Sequence, residues 1–270
     1  MSKEDGTMNE YETAPQKNTF VGEFELGKEL LDTMASEKSH ATVERLPVIG
    51  ESAMVVRNLL SNTEIEALRD ILQQRDWVPV GVSGMKQANF DPQKDRIGSY
   101  RATAYDTKLA TILWQRIASF FPSIRELDEY SPTDWDNGKH WRPVGVNPLH
   151  RFIKYEDGGS LLPHYDAPFV YDHNKRTLMS LVLYLDKSPT IIGGATRFLH
   201  DPQATMRVAD RNLNDWPDFA TEKDVRFAFD PQPGSALLFD HRILHDSGNV
   251  YGQGQKLLLR TDIDFERADE

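Results

Sequence analysis

The sequence predicts an α+β chain that is mainly β, with a helical layer in the N-terminal half supporting a double-sheet barrel in the C-terminal half. Three observations predict it. Apolar residues recur at helical spacing behind Ser61 and behind Thr107. From Asn147 onward the pattern changes to short runs rich in β-branched, aromatic and leucine residues. Gly- and Pro-containing turns, such as Asp157-Gly158-Gly159, Gly193-Gly194 and Pro231 to Gly234, separate most of those runs.

Residues 1–20 are polar and without period, and are expected to form a disordered or loosely attached tail. Residues 21–146 read as a helical and strand support region, and 147–270 as the barrel core of the same domain. A short helix is expected over 23–37, with Phe24, Leu26, Leu30, Leu31 and Met34 on a broad apolar face. Ser61-Asn62-Thr63-Glu64 has the form of a capping box, in which a hydroxyl caps the first turn and a carboxylate reaches back. Ile65, Leu68, Ile71 and Leu72 follow at helical spacing. Another helix follows Thr107, with Leu109, Ile112, Leu113, Ile117 and Phe120 inward and Pro122 as its stop. The segment 81–99 between them is polar apart from Met85 and Phe90, and reads as a lid or as a plain surface loop. Strands are expected over 148–156, 177–186, 195–199, 225–230, 235–240 and 256–265. The stretch 200–224 interrupts them as an insertion, a second lid candidate.

Composition narrows the function classes. The chain has 270 residues, enough for one large domain, and 39% of them are apolar, so it can bury a core. A formal net charge of −11 argues against a phosphate-backbone partner. The absence of cysteine excludes disulfide scaffolds, thiolate catalysis and Cys-ligated metal centres. No run approaches the ~18 apolar residues of a membrane span, and the N-terminal MSKEDGTMNEYE has neither an apolar run nor a basic flank. The cytoplasm is the expected location, with no membrane and no nucleic-acid partner. The sequence is silent on oligomeric state.

The chemistry concentrates around the histidines. His40, His140 and His173 read as ordinary surface or loop residues. His164 differs because Asp166 lies two positions on, and in an extended segment such residues share a face. An imidazole and a carboxylate side by side suit a divalent metal, and two His with one carboxylate make the facial set of non-haem Fe(II) oxygenases. His245, beyond the run SALLFD, completes such a set; His241 competes for the same place. In the strand 256–265, alternation puts Lys256, Leu258, Arg260 and Asp262 on one face. Either that face is solvated, or one of its cations grips a dianionic ligand inside the barrel.

From about Asn147 to Phe265 the chain resembles the Fe(II)- and 2-oxoglutarate-dependent oxygenases of prolyl-4-hydroxylase-like type. The matching pieces are FIKYEDGGSLLPHYD, LVLYLD, GGATRF, PGSALLFDHRILHDSGN and GQKLLLRTDIDF, in the family's order. The resemblance implies a double-stranded β-helix, or jelly roll, with Fe(II) held by His164, Asp166 and His245. It matches Lys256 to the residue that takes the distal carboxylate of 2-oxoglutarate, and Tyr155, Tyr184 and Thr196 to the lining of that pocket. Arg260 is a second candidate for the anchor, since other oxygenases of the superfamily place an arginine at about that distance from the last histidine. Co-substrates are then 2-oxoglutarate and O2, products succinate and CO2, and ascorbate an accessory reductant. A carboxylate at Asp166, where related halogenases have a small residue, points to hydroxylation. The expected reaction is hydroxylation of a small molecule, such as an amino acid or natural-product intermediate. The alternatives are a protein or peptidyl hydroxylase, a nucleic-acid demethylase, and a metal-binding jelly roll without catalysis. Arg96, Arg101, Arg176 and Arg197 are candidates for an anionic substrate, with Arg176 and Arg197 preferred because they flank barrel strands.

Overall fold

The structure is a computed structural model and describes residues 24–46, 53–81, 98–122, 125–127, 139–207, 210–212, 216 and 218–268. The expected tail over 1–20, and Met85, Phe90 and Arg96 of the loop 81–99, lie outside the described residues. In chain order the first elements are α1 (Lys28–Ser36), β1 (Thr42–Arg45), β2 (Ala53–Arg57), α2 (Asn62–Gln73), β3 (Val78–Pro79), β4 (Ser99–Tyr105), α3 (Thr107–Ile117), β5 (Arg125–Leu127) and β6 (Lys139–Val146). Then come β7 (Leu149–Tyr155), β8 (Leu161–His164), β9 (Lys175–Lys187), β10 (Ile192–Gly193) and β11 (Thr196–Leu199). The last are β12 (Val225–Phe229), β13 (Ala236–Asp240), β14 (His245–Ser247), β15 (Val250–Tyr251) and β16 (Lys256–Arg267).

The large sheet runs β1-β2-β13-β9-β16-β7-β4-β3, with β6 also on β16 and β5 on β6. The small sheet runs β12-β11-β14-β8, and β10 pairs with β15. Strand β9 shows why the large sheet lies in the middle of the molecule. Its odd positions Leu181, Leu183 and Leu185 pack with the helices, through Leu68, Leu109, Leu113 and Ile117. Its even positions Val182 and Tyr184 turn the other way, to Phe198, Phe229, Leu237 and Phe239 between the sheets. Both faces are therefore buried, and the strand reads as a continuous apolar run. Two antiparallel sheets closed on an inter-sheet core, with helices on the back of the larger one, form a jelly roll of double-stranded β-helix type.

Strands do not begin at Asn147: β2 and β4, from the N-terminal half, pair with β13 and β7 and widen the large sheet. The first helix is shorter than 23–37. Gly27 is extended at its N-cap, and Phe24 makes a bridge to Ala104 of β4 instead of a helical turn. The turn Asp157-Gly158-Gly159 brings the chain from β7 to β8. A Cβ on Gly159 would sit 2.2 Å from the Gly98 carbonyl oxygen, so this approach requires glycine. Among the described residues no helix is long and apolar enough to cross a membrane.

The helical layer is locked by one buried ion pair. The capping box is present: the Glu64 amide donates to the Ser61 hydroxyl, and the Ser61 amide donates to the Glu64 carboxylate. That carboxylate also takes both arms of Arg116 from α3, at 2.6 and 2.9 Å, and Arg116 donates further to the carbonyls of Met34 and Leu59. One guanidinium thus ties α1, α2 and the β2–α2 turn to α3. Arg116→Met strands a buried carboxylate and should cost about 3–5 kcal/mol in urea unfolding. A loss below about 1 kcal/mol would show that the pair does not hold the layer together.

Candidate metal centre and its basic pocket

Strands β8 and β14 are neighbours in the small sheet, and their register sets His164 opposite His245. The two rings lie 4.2 Å apart between centroids. The Nδ1 of His164 is 2.7 Å from the Leu162 carbonyl oxygen, and that of His245 is 2.9 Å from the Ile243 carbonyl oxygen. A carbonyl only accepts, so each Nδ1 carries its proton and donates it. Each Nε2 is then the ring nitrogen turned to Asp166, at 3.8 Å for His164 and 3.6 Å for His245. The Asp166 carboxylate is itself held on both oxygens, by the Ser180 hydroxyl at 2.5 Å and by Arg260 Nη2 at 2.9 Å.

The protonation states suit a dication. Burial, and then the neighbouring His164, push His245 down to about 3, so its ring is neutral. Burial opposes charge on Asp166, but its charged surroundings, the Arg260 guanidinium at 2.9 Å foremost, outweigh it and hold the carboxyl well below its ordinary value. One ligand atom from each of the three residues lies within 4.8 Å of the others. Two imidazoles and one carboxylate converging from one side fit a six-coordinate divalent metal such as Fe(II). His241 is not part of this set. Its Nε2 faces Asp262 at 3.3 Å, and its carbonyl oxygen accepts from the Asp166 amide at 3.2 Å.

Deeper between the sheets, Lys256 is fully buried. The expected alternation of β16 holds, and the solvated alternative fails: Lys256, Leu258, Arg260 and Asp262 all face the space between the sheets. The Lys256 ammonium donates to Ser247 Oγ at 2.9 Å and lies 4.9 and 5.9 Å from the ring centroids of Tyr155 and Tyr184. Tyr184 donates its hydroxyl proton to Thr196 Oγ1 at 2.7 Å. Register explains the gathering, because Lys256 pairs with Tyr155 and Thr196 pairs with Ser247. Burial, then the charge of Lys187, lowers Lys256 to about 7. Its contacts among the described residues are hydroxyls and ring faces, with no carboxylate at ion-pair distance. Arg260 is committed differently, to Asp166 at 2.9 Å and Asp262 at 3.1 Å.

The two preferred substrate arginines are not at the site. A bulge at Leu178 shifts the pairing of β9 with β16, so Met179 faces Ile263 but Thr177 faces Asp264. The shift reverses the facing of Arg176, which is buried over the Trp141 ring on the helix side of the large sheet. Arg197 lies between the inward Thr196 and Phe198 and therefore points outward. There it grips Asp246 with two bonds of 2.8 and 2.5 Å and reaches the Ala220 carbonyl. The described part of the 200–224 insertion also docks on the metal strand. Tyr165, between His164 and Asp166, donates to Asp201 at 2.7 Å, and the Trp216 amide donates to the Pro163 carbonyl.

Three contributors went unread in the sequence: Ser180, Ser247 and Arg151. Parity was the available signal. Arg151 lies four residues before Tyr155 on β7, and Ser180 four before Tyr184 on β9, so each shares the face of a residue already singled out. Arg151 stands opposite Arg260 in the register and within 3.6 Å of Asp262.

A family comparison agrees with this geometry. Residues 150–261 match the model of the 2OG-Fe(II) oxygenase superfamily. No curated protein matches the chain. Among solved structures, it is similar to a viral collagen prolyl hydroxylase from Paramecium Bursaria Chlorella virus-1, at 14% identity over 81% of this chain and 99% of that one, TM-score 0.42. It is similar to a Pseudomonas putida prolyl-4-hydroxylase, at 15% identity over 88% and 100%, TM-score 0.41. It is also similar to HygX from Streptomyces hygroscopicus, solved with nickel and 2-oxoglutarate bound, at 14% identity over 80% and 82%, TM-score 0.41.

Anaerobic Fe(II) titration separates the ligands from their supports. His164→Ala, Asp166→Ala and His245→Ala should each abolish tight binding, and Ser180→Ala should weaken it about 10- to 100-fold by freeing the carboxylate. His241→Ala should retain the metal. Loss of iron in His241→Ala with retention in His245→Ala would contradict the assignment.

Proposed function

We propose that this chain, a member of the 2OG-Fe(II) oxygenase superfamily through residues 150–261, hydroxylates an unactivated C–H bond of a small molecule while consuming 2-oxoglutarate and O2. The observation that carries the co-substrate assignment is the enclosed Lys256, a cation lodged between Tyr155 and Tyr184 on the same sheet face that reaches the metal triad. A structural metal site needs no such pocket, which weighs against the non-catalytic jelly roll.

In this reading His164, Asp166 and His245 hold Fe(II), and Lys256, Ser247, Tyr155, Tyr184 and Thr196 receive the distal carboxylate of 2-oxoglutarate. Bound there, iron and 2-oxoglutarate supply the oxidative decarboxylation that activates O2 and yields succinate and CO2. The chain's own part is placement. The Leu162 and Ile243 carbonyls fix both imidazole tautomers, and Ser180 and Arg260 fix the Asp166 carboxylate. The Arg197–Asp246 pair braces β14 from outside, next to His245. The Lys256 charge and the hydroxyls around it aim a dicarboxylate at the triad by charge-assisted bonds. Phe198, Phe239 and Leu258 keep the space between co-substrate pocket and sheets dry.

A small-molecule substrate is supported by how little of the triad is open. The side chains of His164, Asp166 and His245 are 15, 13 and 8% exposed. The second reading, a peptidyl hydroxylase, is favoured by the prolyl-4-hydroxylase-like order of the motifs. Succinate release from 2-oxoglutarate with Fe(II) decides between them. Stimulation by small metabolites and not by proline-containing peptides is expected; stimulation by peptides alone would overturn the small-molecule reading.

Lys256 also sets a pH dependence. Tyr155, Tyr184 and Ser247 face it, Lys187 repels it, and Asp246 and Asp230 attract it. With its ordinary value lowered to about 7, the free amine is losing its proton in neutral solution. The dianion binds the protonated form, so affinity should be highest below pH 7 and fall up to about tenfold per unit above it. Calorimetry in two buffers at pH 8 should record proton uptake on 2-oxoglutarate binding. Affinity that stays flat from pH 6 to pH 9, with no proton uptake, would contradict this.

A further inference from the structure

We propose that Arg151, with Arg260 beside it, forms a carboxylate-binding cleft next to the metal centre, and that the substrate is a carboxylic acid held there through its carboxylate. The inference rests on the small-molecule reading and names the chemical class within it.

The register sets Arg151 of β7 directly opposite Arg260 of β16. Like charges across a strand pair repel and need an anion between them. Asp262 supplies one, 3.1 Å from Arg260 Nη2 and 3.6 Å from Arg151 Nη1. Two guanidiniums thus share one carboxylate of their own. Asp264, the next acid along β16, is taken by the Tyr171 hydroxyl at 3.0 Å. Arg260 has a second acceptor in Asp166, but that carboxylate is the one the metal would claim. With Fe(II), Asp166 and the metal-side carboxylate of 2-oxoglutarate balancing one another, and Lys256 balancing the distal carboxylate, Arg151 and Arg260 outnumber the Asp262 they share, and Arg101 adds its charge beside Arg151.

Arg151 is where that surplus is available. Its Nη1 is buried and makes no hydrogen bond to any described residue, a costly state for a guanidinium nitrogen. The side chain as a whole is 25% exposed, so solvent reaches part of it. It is also near enough to Asp166 to feel its charge. A guanidinium with an unused arm beside an oxidising centre is suited to a two-point grip on a carboxylate. The positive surplus calls for an anion, and the planar fork of a guanidinium suits a carboxylate. It also gives little to the interior of a peptide chain, which carries no backbone carboxylate.

The test uses the full chain loaded with Mn(II), which does not turn over, and saturated with 2-oxoglutarate. The probes are carbon-13-labelled acetate and its neutral counterpart acetamide, read by metal-induced relaxation of the labelled carbon. The native chain should show saturable acetate binding, with acetamide about tenfold weaker or more. Arg151→Met should lose the acetate effect, and Arg151→Lys should retain an intermediate affinity, with 2-oxoglutarate affinity unchanged in both. Equal binding of acetate and acetamide, absence of a saturable effect, or unaltered acetate binding in Arg151→Met would each overturn the proposal. So would a loss of 2-oxoglutarate affinity in a folded Arg151→Met, which would assign Arg151 to the co-substrate. If Arg151→Met does not fold, the acetate–acetamide ratio and Arg151→Lys decide. Failure of the small-molecule reading appears elsewhere, as turnover stimulated by peptides alone, and leaves the acetate result standing.

Discussion

Burying two cations on one face of β16 is the constraint around which this site is built. Strand alternation leaves no choice: once Leu257 and Leu259 pack under the helices, Lys256 and Arg260 must enter the space between the sheets. A buried cation is tolerated only with compensation. The two are compensated in opposite ways. Arg260 has carboxylates at 2.9 and 3.1 Å, and stays charged because Asp166 and Asp262 outweigh the penalty of burial. Lys256 has a serine hydroxyl and two aromatic rings, and its proton is loosened accordingly. Arg260 completes the protein's own network, whereas Lys256 has no carboxylate at ion-pair distance among the described residues.

The same asymmetry orders the metal centre. Asp166 is ionised because the Arg260 guanidinium faces it, and its orientation is fixed from the large sheet by Ser180 and Arg260. The imidazoles come from the small sheet, where β8 and β14 pair. The centre therefore exists only when the two sheets are correctly spaced. That spacing is set by the inter-sheet core of Val182, Leu237, Phe198 and Phe239, and the large sheet is backed in turn by the helices that Arg116 ties together. An interaction far from the chemistry thus bears on the position of Asp166.

Much of this was legible in the sequence. The six C-terminal strands, the capping box at Ser61 and the helix after Thr107 stand where periodicity put them, because those segments are long or sharply bounded. The alternation of β16 was readable for the same reason. What escaped is what a one-dimensional pattern does not encode. Strands β8 and β14 are too short to show a period. Arg176 was misplaced by a bulge, a single extra residue that reverses every side chain beyond it. Arg197 was misplaced by treating proximity to a strand as proximity to its inner face. The sequence alone does not separate His241 from His245; in three dimensions His241 faces Asp262, while His245 gathers with His164 and Asp166.

The central claim is the division of labour between Lys256 and Arg260, and 2-oxoglutarate affinity measured by calorimetry on the metal-loaded chain tests it most directly. A charge-assisted bond to a buried carboxylate is worth about 1.5–3 kcal/mol, so Lys256→Met should weaken 2-oxoglutarate about 10- to 100-fold and leave metal affinity nearly intact. Arg260→Met should act in the reverse sense, loosening the metal through Asp166 while the dicarboxylate binds nearly as before. A 2-oxoglutarate defect that follows Arg260→Met, with normal binding in Lys256→Met, would contradict the account.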